Sequence, residues 1–100
     1  MTMSTEQDDF QVSLERRLKV QRNPDSIVDI IIQIGYPKWT EPDIEARCPV
    51  AIRGDLGRVS DIAGIDPIDA MKNALTFVET YLKQKDSQTK VLWPDGESYF

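Results

Sequence analysis

The segment Gly64–Gln84, GIDPIDAMKNALTFVETYLKQ, reads as one strongly amphipathic helix with a marked start. Asp66 is placed to cap it, Pro67 takes the first helical position and Asp69 follows the cap by three residues. Side-chain oxygen, preset φ and negative charge all suit the free N–H groups of a helix N-terminus. Ile68, Met71, Leu75, Val78 and Leu82 form the expected apolar stripe. Ala70, Ala74, Phe77 and Tyr81 widen one flank, and Lys72, Asn73, Thr76, Glu79, Thr80 and Lys83 are left for water. Each large apolar side chain buried here stabilises the fold by roughly 1.5–3 kcal/mol. The helix is expected to span Asp66–Gln84 and to end in the polar run Lys83–Lys90.

About fifty residues of strand-like pattern precede it. Phe10, Val12, Leu14, Leu18 and Val20 fall on even positions and alternate with polar odd ones, which predicts a half-buried strand. Arg16 is the one charge on the apolar side, so the strand bends there or projects that side chain past the core's edge. A turn at Arg22–Ser26 leads into Ile27–Ile34, apolar on most of both faces and hence central in a sheet. The proline-bracketed stretch Gly35–Asp43 reads as a loop. Ile44, Ala46, Cys48, Val50 and Ile52 alternate again, with Pro49 demanding an edge or a bulge. A glycine turn, Arg53–Gly57, precedes a short returning strand at Arg58–Ile62, and Val91-Leu92-Trp93 reads as a final edge strand or hairpin arm. The order of elements predicts an α+β two-layer sandwich: an antiparallel four- to five-stranded meander with one long helix packed on its even-parity face. Residues 1–9 read as an acidic, disordered leader, and residues 10–100 as a single α+β domain.

Charge and residue inventory narrow the function. Twelve Lys+Arg against seventeen Asp+Glu leave a net charge of −5 and a pI near 4.6. That sign repels phosphate backbones, so nucleic acid is not expected; it suits either solubility alone or a basic protein partner reached by electrostatic steering. No stretch has the length and hydrophobicity of a membrane span or a signal peptide, which points to the cytoplasm. There is no histidine, so the commonest general base and metal ligand are missing. No metal site and no cofactor site is expected: Cys48 stands alone, and no glycine-rich phosphate loop precedes the helix. By parity Cys48 is a small buried thiol, and Asp29 and Glu45 lie on the solvated face, where neither suits acid–base catalysis. No catalytic residue is assigned, and the chain reads as non-enzymatic. Arg53-Gly54-Asp55 matches an adhesion tripeptide, and Gly54-Asp55-Leu56-Gly57 the glycine loop of an RNA-binding module; a tight hairpin turn accounts for both.

The remaining candidates are aromatic. Tyr36, Lys38 and Trp39 lie in the proline-bracketed loop and Trp93 beside the Pro94-Asp95-Gly96 turn; such groups serve either as interface anchors or as lids over the core. The odd-numbered sheet face mixes charges of both signs, interrupted by Ile27, Ile31 and Ala51.

Three groups of residues, Cys48-Pro49-Val50-Ala51-Ile52, Ile62-Ala63-Gly64-Ile65-Asp66 leading into Ala70-Met71 and Ala74-Leu75, and Leu92-Trp93-Pro94-Asp95-Gly96, resemble a group of small uncharacterised bacterial proteins. The resemblance covers about half of the chain. Gln often stands in that group where Asp69 stands here. The group has no assigned reaction, so the resemblance implies no catalytic role. Its size and charge are similar to those of immunity proteins, which neutralise a toxin by binding it, an analogy at the level of type alone.

The leading expectation is therefore a protein-binding module that steers a basic partner by charge and grips it through Trp39 and its loop, with toxin neutralisation as a narrower version. A second class is a small-ligand binder or minor enzyme with a helix–sheet pocket using Asp66, Asp69 or Tyr81. A monomer, or a weak homodimer through the Pro49 edge or the Ile27/Ile31 face, is the expected assembly.

Overall fold

Proline decides how the sheet is laid out. The computed structural model describes residues 10–100, and the acidic leader expected at residues 1–9 lies outside the described residues. Strand β1 (Val12–Asn23) turns back through Pro24-Asp25 into β2 (Ser26–Gly35). The Asn23 side chain holds that turn by accepting from the Asp25 N–H at 2.9 Å. Past Tyr36 and Pro37 the chain resumes as β3 (Lys38–Glu41), then β4 (Glu45–Cys48), and after Pro49 as β5 (Val50–Arg53). It returns as β6 (Gly57–Arg58) and β7 (Ile62–Gly64). Helix α1 (Pro67–Gln88) and β8 (Lys90–Leu92) complete the order.

Every pairing is antiparallel. The breaks fall in step across neighbouring runs: β5 pairs with β2 and β6, while β4 pairs with β3 and β7. A meander of four runs is thereby creased into a five-stranded sheet, order β6-β5-β2-β1-β8, and a three-stranded sheet, order β3-β4-β7. The single strands expected over Ile44–Arg53 and Arg58–Ile62 each divide between the two sheets. Pro49 has no N–H to give the ladder, and the chain bends where the bond is missing. The loop expected at Gly35–Asp43 contains β3.

The core is the even-parity face, as alternation predicts, but only in part. Leu18, Val20, Ile30, Ile32, Ile34, Cys48, Val50 and Ile52 are buried with Ala46 and Val91 beneath the helix. At the start of β1 a register shift between Val12 and Leu14 marks a bulge. It pairs Val12 with Gly35 and turns Phe10 to the outer face, where the ring lies 4.9 Å from the Arg58 guanidinium carbon. Parity therefore fails for Phe10 and Val12, because one extra residue flips every side chain before it.

The helix starts as expected. The Asp66 carboxylate accepts from the Asp69 N–H at 2.7 Å, and Asp69 reaches back to the Ile65 N–H at 3.0 Å. This is a variant of the capping box in which Asp69 reaches one residue past the cap, to Ile65, instead of to the Asp66 N–H. The helix runs four residues past the expected end because its last turn is tied down. Lys85 pairs with Asp55 at 2.9 Å, Asp86 accepts from the Val91 N–H at 2.9 Å, and the Thr89 N–H closes on the Lys85 carbonyl at 2.9 Å.

The buried stripe of α1 also differs from expectation. It consists of Ala70, Ala74, Val78 and Leu82, flanked by half-buried Met71, Phe77 and Tyr81. Ile68 is 74% exposed and Leu75 44% exposed. Small residues draw the helix against β4 and β7. Gly64 sits so close to Ala70 that an added Cβ would fall 2.7 Å from the Ala70 Cα. The helix lies against β4, β7 and β8, and the β1–β2 half of the inner face is left partly uncovered.

Candidate functional site

That uncovered half forms a cleft between α1 and the β1–β2 ladder. Its floor is Ile32, Ile34 and Val78, all buried, and its walls are Leu14 and Leu75, 49% and 44% exposed. The volume is about 230 Å³. Leu14 is on the predicted face, opposite Ile34, yet among the described residues it is only half covered. Sequence periodicity places Leu14 and Leu75 in the core because it records which face a residue is on, not whether a neighbour reaches it.

Arg16 and Glu79 supply the polar rim, while the Glu15 carboxylate turns to the outer face, where Arg17 and Gln33 donate to it at 3.2 and 3.1 Å. Arg16 donates to the Tyr99 hydroxyl at 2.7 Å, and Tyr99 donates to Glu79 at 3.1 Å, so a phenol bridges a cation on the sheet and an anion on the helix. The Arg16 guanidinium carbon stacks 5.3 Å from the Trp93 ring and 5.8 Å from Tyr99. Stacking of this kind is worth about 0.5–1 kcal/mol at exposed sites. Burial raises the Tyr99 phenol above its ordinary value, with Arg16 pulling the other way. A charge at an apolar position, Arg16, and an aromatic beside a turn, Trp93, were the sequence signs of this cluster; Tyr99 gave none.

The four aromatic-loop candidates do not converge. Trp39, 43% exposed, sits in β3 opposite Ala46, on the helix-facing side of the outer strand of the three-stranded sheet. Lys38 pairs with Arg47 on the other face. There Tyr36 and Lys38 line an open hollow of about 390 Å³ with Phe10, Gln11 and Pro49. Trp93, 37% exposed, stacks 4.8 Å from Tyr99 beside Arg16. The structure thus brings together Tyr36 with Lys38, and Trp93 with Arg16 and Tyr99.

Asp66, Asp69 and Tyr81 do not line the helix–sheet cleft. The two aspartates cap the helix, and Tyr81 donates to Asp55 at the tip of the β5–β6 turn. That hydrogen bond, with Lys85 beside it, holds the Asp55 carboxyl below the usual carboxylate range, and burial with the Asp55 contact pushes the Tyr81 phenol well up. Gly54, at φ +94° and with the Asp29 carbonyl where its Cβ would stand, must be glycine. The Arg53-Gly54-Asp55 string is accordingly a turn tied to the helix.

Cys48 is fully buried, its thiol donating to the Gly35 carbonyl at 3.6 Å, and burial pushes its pKa up, away from the reactive thiolate. Exposed charges on the outer face pair across and along strands, Lys19 with Asp29 at 2.9 Å and Arg47 with Glu45 at 3.1 Å. Among the described residues no group of three or more His, Cys, Asp or Glu side chains is placed to hold a metal ion, and no helix is long and apolar enough to cross a membrane.

Comparison with known proteins returns no match among protein-family models, curated proteins or solved structures.

Proposed function

We propose that the chain is a protein-binding module that acts through the uncovered inner face. The observation that carries this reading is the exposure of Leu14 and Leu75 on either side of a cleft floored by core residues. A fold that places two leucines of the core face in water forgoes the roughly 1.5–3 kcal/mol that burying each would contribute. A partner's side chain entering between them recovers part of it, at the kind of apolar, polar-rimmed patch where interface energy concentrates. The net charge of −5 supports a basic partner brought in by long-range attraction. At about 230 Å³ the cleft is below the roughly 300 Å³ at which small-molecule sites begin, and its floor carries no converging polar groups.

The test is Leu75→Ser against wild type. Proteins captured by the full chain from cell extract are identified, purified and titrated back by calorimetry. The expected result is a saturable partner whose affinity falls about tenfold or more in the variant, corresponding to roughly 1.4 kcal/mol, with the melting temperature lowered by no more than the few degrees that about 1 kcal/mol produces. A partner bound equally well by both chains would remove the cleft from the reading, and the absence of any saturable partner would remove the reading itself.

A further inference from the structure

The long first strand has an open edge directly above this cleft. β1 pairs with β2 along its length, but on its other side β8 covers only Lys19, Val20 and Gln21. The direction of the backbone groups follows from two observations. Val91 gives its N–H to Asp86 and accepts at its carbonyl from Tyr99, so its backbone groups face away from β1 and those of Lys90 and Leu92 face it. Lys19 and Gln21, opposite Leu92 and Lys90, therefore point their backbone groups at β8. Two-residue alternation then sends those of Glu15 and Arg17 to the same side, beyond the end of β8. The Gly35 N–H bonded to Pro49 sets the phase of β2 and agrees: its even residues, paired with the even residues of β1, face β1. Leu14, Glu15, Arg16 and Arg17 are all exposed. Pro94, which has no N–H, flanks the Arg17 end. Among the described residues nothing pairs with this edge.

We infer that the β1 edge at Ser13–Arg17 takes up an extended, basic segment of a partner protein as an added antiparallel or parallel strand, with alternate apolar side chains seated in the Leu14–Leu75 cleft. The backbone edge specifies an extended chain. The cleft on its inner side specifies apolar side chains at every second position, because a strand added to a sheet presents every second residue to one face. The net charge of −5 specifies the basic character. The inference rests on the protein-binding reading and gives it a partner class and a binding mode.

The probe is a phage-displayed library of linear heptapeptides selected against the immobilised full chain, with enriched peptides examined by amide hydrogen exchange. In the free chain the Glu15 and Arg17 amides are expected to exchange fast and those of Leu14, Arg16 and Leu18 slowly. Enriched sequences are expected to alternate apolar residues with Lys or Arg, to protect Glu15 and Arg17, and to lose about tenfold in affinity with Glu15→Pro, the net worth of about one backbone hydrogen bond. Glu15→Gln keeps the N–H and serves as the control; because the Glu15 N–H lies outside the β1–β2 ladder, the proline variant should retain its melting temperature. If Glu15→Pro fails to fold, the same loss is sought with peptides methylated at alternate backbone nitrogens. Enriched peptides that protect residues around Leu75 but not Glu15 would overturn the strand-addition mode and leave the binding module standing. Protection of Glu15 that grows with protein concentration alone would give the edge to a second copy of the chain and overturn the stated partner. No enrichment would sink both readings.

Discussion

The two halves of the inner sheet face are built on opposite principles. Over β4 and β7 the contact is made by Ala46, Gly64, Ala70 and Ala74, and the backbones approach so closely that Gly64 cannot accept a methyl group. Over β1 and β2 the same helix turns Leu75 and Glu79 toward a cleft, and Leu14 stays in water. The helix reaches from β4 and β7 across to β8, and the opening is confined to the Leu14–Arg16 end of β1 beside Leu75 and Glu79. Large side chains sit where the gap is, and small ones where the packing is tight. Hydrophobicity alone is thus a poor guide to which residues hold this fold together.

The sharpest way to break that contrast is at the closed half. Gly64→Ala is expected to cost about 3 kcal/mol, the upper range for overpacking, since the obstacle is helix backbone rather than a flexible side chain. Urea unfolding measures it, and a variant as stable as wild type would show that the helix stands further off than described.

A smaller effect is expected at the far end of the helix, where Asp55 joins the β5–β6 turn to Tyr81 and Lys85. Asp55→Asn should cost about 1 kcal/mol at neutral pH. The sign of the pH dependence follows from the lowered carboxyl pKa. Its stabilisation is present above the unfolded value of about 4 and is lost as pH falls through the folded value. Asn at this position should therefore flatten the acid limb of the stability profile. Tyr81 behaves oppositely: with its folded pKa raised, its contribution is fully present below an unfolded value of about 10 and is lost as pH rises toward the folded one. Tyr81→Phe should flatten the alkaline limb.

The smallest effect is expected for Trp39→Ala. With the ring 43% exposed on an outer strand, the melting temperature should move by no more than the few degrees that about 1 kcal/mol produces in a chain of this size. A larger shift would make Trp39 part of the closed half.

Much of the fold was legible because period-two alternation and helix-start chemistry are local. The burial of Leu18, Ile30 and Cys48 and the Asp66 cap all follow from neighbours in sequence. What was not legible depends on distant partners. The helix continues to Gln88 because Asp55 and Val91 engage its last turn, and neither lies within the helix sequence. The bulge that turns Phe10 outward shows no turn residue to betray it. Ala70 and Ala74 outrank Ile68 and Leu75 as core positions because Gly64 lies opposite, a pairing that no helical-wheel argument contains. Of the candidate site, Arg16 was visible as an anomaly and Trp93 as an aromatic near a turn. Their meeting with Tyr99 and Glu79 required the fold.

The uneven coverage of the sheet is tested most directly by one pair of substitutions on the same helix, Leu82→Ala and Leu75→Ala, compared by urea unfolding. Leu82 is fully buried and Leu75 is 44% exposed. The first change is expected to cost about 3 kcal/mol and the second less than about 1 kcal/mol. Equal losses at the two positions would mean that the helix covers both halves alike and that the cleft does not exist.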